Sequence, residues 1–551
     1  MAEAAAPRVI SGIEAMRGVG AQQARGFWAD AWSRVWASLP ARVAIGWVVV
    51  MGIGAVVGPL LANAHPLWMQ QLDSNGAVVS SGSPLWRSLS AADLLLLLAP
   101  LLALWVALPL RRPRGERLGA AAAMGILALV VVIAGASAAD WLDSPARTGA
   151  LREFDRWINE PGFWWRRSLP VLVIGALPAL AGMLIPFGPR AGGRAVAMTA
   201  ALVVSSLAVG ARWTERPANY DAYLAAEADG TARTWYTLVP WSPNRVRSEL
   251  ISVPPMTTVS GAVQMKLVAL EQEAARLSRD AAAARAAGQE DLARRKLDDE
   301  VQATRQRDQL AREWAAVADT AFARRYFILG TDPNGVDVFC QLLWACRLSI
   351  SVGFVSTGIA VLIGVTLGAV MGYFGGWLDL ILFRVVEIFM SIPVLFLLIV
   401  AAGVLPRNTY VMMAIIGCVS WTGAARFTRA EFMKLRSLDF VQGARAAGLP
   451  LRSVLFRHAL PNGVTPVLVD TSFAVAGAIL AEATLSFLGL GPDNQASWGK
   501  LLSSALATTG TFIWWLAVFP GLIIFLTVLA YNVLGGSLRD AIDPKLRKAA
   551  H

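Results

Sequence analysis

From Asp439 to Asn462 the chain reads Asp-Phe-Val-Gln-Gly-Ala-Arg-Ala-Ala-Gly-Leu-Pro-Leu-Arg-Ser-Val-Leu-Phe-Arg-His-Ala-Leu-Pro-Asn. Gly443, Ala444, Ala446, Ala447 and Gly448 predict a nearly bare helix surface, against which another protein can pack closely. Pro450 suits the first turn of a new helix, and Pro461 is expected to end it. Two short helices meeting at a small-residue corner fit a mechanical connector. The same residues also fit an ordinary basic loop between membrane spans.

Apolar runs flank this stretch on both sides. About 20 apolar residues are needed to cross roughly 30 Å of hydrocarbon, and ten stretches meet or approach that length. Five precede residue 215: 42–62, 91–110, 118–137, 169–187 and 195–211. Five follow residue 340: 348–372, 380–404, 410–424, 465–488 and 512–534. The expected fold class is therefore an all-α polytopic membrane protein of about ten transmembrane helices. Hydrophobic residues make up 56% of the 551 residues and charged ones 16%, against about 25% charged in soluble domains. This balance excludes a soluble globular enzyme, a disordered chain and a nucleic-acid binder.

The net charge of +11 is informative through its placement. Lys and Arg in short loops mark the cytoplasmic side. Arg25 and Arg34, then Arg111, Arg112, Arg114 and Arg117, then Arg190 and Arg194 fall in alternate loops. Arg426, Arg429, Lys434, Arg436, Arg445, Arg452 and Arg457 follow in the 426–463 loop, and Arg539, Lys545, Arg547 and Lys548 in the tail. With ten spans all these lie on one face, so both termini are expected in the cytoplasm. Cys340, Cys346, Cys418 and the three histidines form no metal-ligand spacing, so no metal or cofactor is expected on this chain.

By the same count the polar segment 213–338 is external. Within it Val263, Leu267, Leu270, Ala274, Leu277, Ala281 and Ala284 alternate at spacings of four and three, the seam of a coiled coil. Gly288 interrupts the run, and Leu297, Val301, Leu310, Trp314 and Val317 predict a returning helix. An external helical hairpin over 262–318 follows, either a solvated spacer or a docking surface for an external partner.

The loop's spacing carries a resemblance. Gln442-Gly443-Ala444, with Gly448 and then Leu460-Pro461, resembles the EAA loop of ATP-binding cassette (ABC) importer permeases. Leu329-Gly330-Thr331-Asp332 with Gly335 and Asp337, and Gly372-Tyr373-Phe374-Gly375-Gly376, resemble motifs of the dipeptide/oligopeptide/nickel family, C-type subunit. So do Glu482 with Leu485 to Gly491, Ser497-Trp498-Gly499, Phe519-Pro520-Gly521, and Leu538-Arg539-Asp540 with Asp543-Pro544. Gln442 and Gly443 replace the usual Glu and Ala, and Val336 replaces the usual Arg. The match covers roughly 220 residues from Leu329 onward.

The resemblance implies a permease of the bacterial inner membrane that moves peptides or a related small solute inward. It also implies a second, B-type permease, two ABC ATPase subunits carrying ATP and Mg, and an external solute-binding protein. The chain has no Gly-x-x-x-x-Gly-Lys-Ser/Thr phosphate cradle of its own. Gln442, Gly443, Ala444, Arg445, Ala447, Gly448, Arg452, Arg457, His458 and Pro461 would form the ATPase-coupling loop. Gly448 would allow close approach, and Ala444 and Ala447 would line the contact. Arg445, Arg452, Arg457 and His458 would sit at its rim.

Ionisable residues within spans are functional candidates. Arg384 and Glu387, three apart on one helix face, are a structural pair or a gate contact. Glu482 either meets a substrate amine or braces the pore. The expected organisation is a cytoplasmic segment 1–40, an extra four-span region 41–190, and a first permease span 191–212. The external segment 213–338, a five-span core 339–538 holding the loop 426–463, and a tail 539–551 complete it. The rival class is a secondary transporter or channel without an ATPase. Such a protein needs no EAA-type loop, and no repeat relates the two halves of the chain.

Overall fold

The computed structural model describes residues 27–89 and 220–542, apart from 74, 244, 316, 319, 452, 464, 494 and 507–511. The expected spans at 91–110, 118–137, 169–187 and 195–211 lie outside the described residues. So do Arg452, most of segment 1–40 and most of the tail.

In chain order, α1 (Phe27–Ala37) leads through Ser38 into α2 (Leu39–Leu61), followed by strands β1 (Trp68–Leu72) and β2 (Val78–Gly82). After residue 219 come α3 (Tyr220–Ala228), β3 (Ala232–Trp235), α4 (Val259–Ala286) and α5 (Glu290–Ala315). The remainder is α6 (Val338–Phe374), α7 (Gly376–Ser391), α8 (Val394–Val404), α9 (Thr409–Val419), α10 (Thr422–Leu435), α11 (Asp439–Ala446), α12 (Thr465–Phe487), α13 (Trp498–Ser503) and α14 (Trp514–Ile542). Among the described residues four helices, α2, α6, α12 and α14, are long and apolar enough to cross a membrane. The pairs α7–α8 and α9–α10 raise this to six if each pair is one bent span.

The stretch expected as one span at 380–404 is thus broken, with α7 and α8 meeting at 83°. The cause is local. Pro393 has no N–H to give to the helix, and Ile392 before it is extended, at φ −94° and ψ 127°, as a residue preceding proline prefers. An apolar run is continuous in composition here without being continuous in geometry.

The described residues group into two compact units, one drawn from 1–52, 348–506 and 516–551, the other from 53–347 and 507–515. In the second unit β1 is the centre of an antiparallel sheet ordered β2-β1-β3, with Trp68 opposite Trp235 and Met69 opposite Gly82. The chain leaves the sheet at β2, and the third strand, β3, follows residues 90–219, which lie outside the described residues. Among the described residues α2 is the first helix long and apolar enough to cross a membrane. Trp47 Nε1 donates to Thr527 Oγ1 at 3.1 Å in one unit, and Trp344 Nε1 donates to the Ala62 carbonyl at 2.8 Å in the other. The expected first permease span 191–212 lies outside the described residues.

The helical hairpin is α4 and α5, joined at Ala287, Gly288 and Gln289. Gly288 takes φ +72°, and the N–H groups of Gly288 and Gln289 donate to Arg285 and Ala284, the Schellman ending that favours glycine. Val263, Leu270, Ala281 and Ala284 of the expected seam are buried. On α5 the buried residues are Ala293 and Ala303, whereas Val301 is 46% exposed. The returning helix packs through small residues at Ala293 and Ala303, while the expected Leu310, Trp314 and Val317 pack against the cluster that holds Val259, Ala262 and Val263.

At its base the hairpin joins a cluster of Trp241, Leu250, Val253, Phe322 and Phe327, in which Trp241 stacks on Phe327 at 4.6 Å. The first unit is built around Leu348, Val352, Leu398, Ile416 and Leu485. In it Ala31 and Val35 of α1 pack with Ala541 at the end of α14.

Candidate functional site

The loop after α10 begins with α11. Val441 and Ala444 lie three apart on one face of α11, where they pack with Val454 and Tyr373. Gln442 Nε2 donates to the Arg436 carbonyl at 2.7 Å, and the Arg445 guanidinium lies 5.9 Å from the Tyr373 ring centre. Gly448 closes the helix at φ +70°. Its N–H donates to Arg445 and that of Leu449 to Ala444, again a Schellman ending. A β-carbon at Gly448 or Gly443 would meet nothing within 4 Å.

These positions correct part of the expected site. Ala444 is turned inward against Val454, so it braces α11 and does not line an open contact. Gly443, Ala446, Ala447 and Gly448 are exposed, and Leu438, Phe440, Leu449 and Leu451 are exposed beside them. The four large apolar residues were not singled out from sequence. Their placement at both ends of the small-residue run was the available signal.

Pro461 does not end the second helix. Residues Ser453–Ala459 form a π-helical stretch that runs into a helical turn at Leu460–Gly463. A wider i→i+5 turn lets the chain continue past a residue that has no N–H to donate and crowds the fourth carbonyl before it. Arg457 and His458 lie on this π-helical stretch.

Behind the loop, α10 lies against α6 almost backbone to backbone. Gly364, Gly368 and Gly372 recur every fourth residue on α6. A β-carbon on them would come within 2.6 Å of Ala424 Cβ, 2.7 Å of Thr428 Cβ and 2.7 Å of Phe432 Cβ. Only glycine permits this approach, the small-residue packing common between membrane helices. Arg429 on α10 forms a two-pronged ion pair with Asp379 on α7, Nε to Oδ1 and Nη2 to Oδ2, the second at 2.7 Å. Arg384 and Glu387 form the expected ion pair on α7, on an exposed surface.

Glu482 is fully buried. Its Oε2 accepts from Ser349 Oγ at 2.9 Å, and its Oε1 from Ser486 Oγ at 2.8 Å and Ser497 Oγ at 2.7 Å. Ser497 also caps α13 by accepting from the Gly499 N–H, and a β-carbon at Gly499 would strike the Ala483 carbonyl. The Glu482, Ser486 and Ser497-Trp498-Gly499 motifs are thus one packed knot.

The Leu329 to Asp337 motif is a second knot. Thr331 Oγ1 donates to the Leu250 carbonyl at 2.6 Å and accepts from Val253 N–H at 2.7 Å. Asp332 Oδ1 accepts from the N–H groups of Asn334 and Val336, and its Oδ2 from Gln341. Asp337 caps α6 by accepting from the Cys340 N–H at 2.7 Å. Burial pushes its carboxyl up from an ordinary 3.8 to about 7, so the fold disfavours the ionised form. The stability held by the protonated form is full below about pH 4 and is lost as pH rises to about 7. Asp337→Asn keeps the capping acceptor and removes the charge. Its thermal midpoint in detergent should vary less than wild type between those pH values, and an unchanged slope would show that Asp337 does not set it.

Spans, loop and knots together define a multi-pass membrane permease. Residues 364–548 match the family described as binding-protein-dependent transport system inner membrane component. The chain is 36% identical over 236 residues to the oligopeptide transport system permease protein OppC of Haemophilus influenzae, covering 43% of this chain and 76% of that one. It is 35% identical to the dipeptide transport system permease protein DppC of Alkalihalophilus pseudofirmus, covering 40% and 72%. It is 36% identical to the glutathione transport system permease protein GsiD of Pectobacterium atrosepticum, covering 40% and 73%. The chain belongs to the dipeptide/oligopeptide branch of the ABC importer permeases. It is a multi-pass inner-membrane transport subunit and not itself an enzyme.

Proposed function

We propose that this permease moves peptides or a related small solute into the cytoplasm, pairing with a second, B-type permease. Two ABC ATPase subunits holding ATP and Mg drive it through the loop 426–463, and an external solute-binding protein delivers the solute. Both termini are cytoplasmic, and the α4–α5 hairpin is external. The observation that carries this reading is the construction of α11. The helix is held from behind by Val441, Ala444, Val454 and Tyr373, while Gly443, Ala446, Ala447 and Gly448 face outward between Phe440 and Leu449. A rigid helix with a small-residue outer face and an apolar rim suits a groove on another protein, and the loop's arginines add attraction for acidic groups there. Closure of the ATPase pair would move such a helix as a lever.

Purification in mild detergent tests the assembly. Two ATPase subunits and a second permease should accompany the chain. Isolation of a stable, active homo-oligomer would overturn the reading.

A further inference from the structure

We propose that the Asp379–Arg429 ion pair is the positioning contact that carries movement of the coupling loop to α7, the helix bearing the Arg384–Glu387 pair. The inference rests on the reading of 426–463 as the ATPase-coupling loop and names a path by which that loop acts.

The path starts at α11. Only Arg436, Ser437 and Leu438 separate α10 from α11, and Gln442 of α11 is hydrogen-bonded to the Arg436 carbonyl. A shift of α11 therefore reaches the end of α10 with little slack. Along its length α10 is locked to α6 by the Gly364, Gly368 and Gly372 contacts, so it moves together with the second half of α6 and does not slide on it.

The contact with α7 is different in kind. Near the start of α10 it is apolar, with Phe389 edge-on to Trp421 at 5.5 Å, and apolar surfaces of this sort can slip past one another. Asp379 and Arg429 fix the register. The carboxylate takes both prongs of the guanidinium, which constrains direction as well as distance. Phe383 covers the guanidinium at 4.3 Å, and the two side chains are only 24% and 12% exposed.

The far end of α7 is not continued by a straight helix. At Ile392 and Pro393 the chain turns 83° into α8, so α7 is a separate segment and not the lower half of a rod. Arg384 and Glu387 lie one and two turns beyond Asp379 on it. The turn between α6 and α7 adds a further contact from the loop side, since the Arg436 guanidinium lies directly against Gly375.

The test uses the assembled transporter in proteoliposomes, with a radiolabelled tripeptide as the uptake probe. Arg429→Lys keeps the charge and loses the fork. It should retain the ATPase subunits on pull-down and hydrolyse ATP, while uptake per ATP falls about tenfold, the size of a typical coupling between sites. Asp379→Asn should behave likewise, and the exchange Asp379→Arg with Arg429→Asp should recover part of the loss. Spin labels at Val385 and Ala446 give a readout independent of the substrate. In wild type their separation should be the same with and without trapped ATP, and in Arg429→Lys it should change or broaden. Wild-type coupling in both single variants, or a wild-type separation that changes with ATP, overturns the proposal. Failure of the wild-type chain to bind any ATPase overturns the coupling reading and this inference with it, whereas bound ATPase with unaltered coupling removes this inference alone.

Discussion

Gly448→Trp will leave membrane insertion intact and reduce uptake to background, with ATP hydrolysis continuing uncoupled. Two explanations of that loss can be separated. Gly448 sits at φ +70°, where a residue with a β-carbon is strained by about 1 kcal/mol. It also faces open space with no neighbour within 4 Å of a β-carbon, so the chain's own packing does not explain the need for a small residue. Asparagine tolerates the left-handed conformation. Gly448→Asn should therefore insert and transport to within about threefold of wild type, and Gly448→Ala should be impaired only by its backbone strain. If space for a partner helix groove is the requirement, Trp must be far worse than Ala, although both carry the same backbone penalty. Uptake and ATPase rates of the three variants, normalised to membrane-inserted protein, decide it. Equal loss in Ala and Trp would assign Gly448 to helix termination alone, and normal uptake in Trp would remove it from the coupling surface.

The parts that sequence reading reached are those set by local composition. The apolar length of α2, α6, α12 and α14 follows from transfer of side chains into hydrocarbon, which needs no tertiary information. Gly288 as the hairpin corner and the helical stretch around Gly443 are also local. What escaped depends on residues far apart. The pairing of β1 with β3 joins Trp68 to Trp235, far apart in the chain, and no local pattern announces it. Asp379 and Arg429 lie 50 residues apart, each indistinguishable in sequence from its charged neighbours. The inward turn of Ala444 was partly legible, because Val441 precedes it by three residues, but the partner Val454 fixes it. Pro393 is plain in the sequence, but the length of an apolar run does not tell whether its backbone stays helical.

Glu482→Ala should be the most destabilising single change in the core, by roughly 3 kcal/mol. Three hydroxyls from three places in the chain converge on this one carboxyl group: Ser349 on α6, Ser486 on α12 and Ser497 at the start of α13. Alanine removes their common acceptor and leaves a cavity at a fully buried position. Ser486 and Ser349 can turn toward carbonyls of their own helices and recover part of the loss, whereas Ser497 loses one of the two bonds that seat α13. Glu482→Gln keeps an acceptor oxygen and nearly the same volume, so it should cost about 1 kcal/mol. Thermal unfolding in detergent, with uptake normalised to folded protein, tests the assignment. A brace predicts that the Gln variant transports normally once folded and that the Ala variant loses uptake in proportion to its loss of folded protein. A fully folded Gln variant without uptake would instead place the carboxyl's charge in the transport step and return Glu482 to the substrate-amine role that its enclosure by three serines argues against.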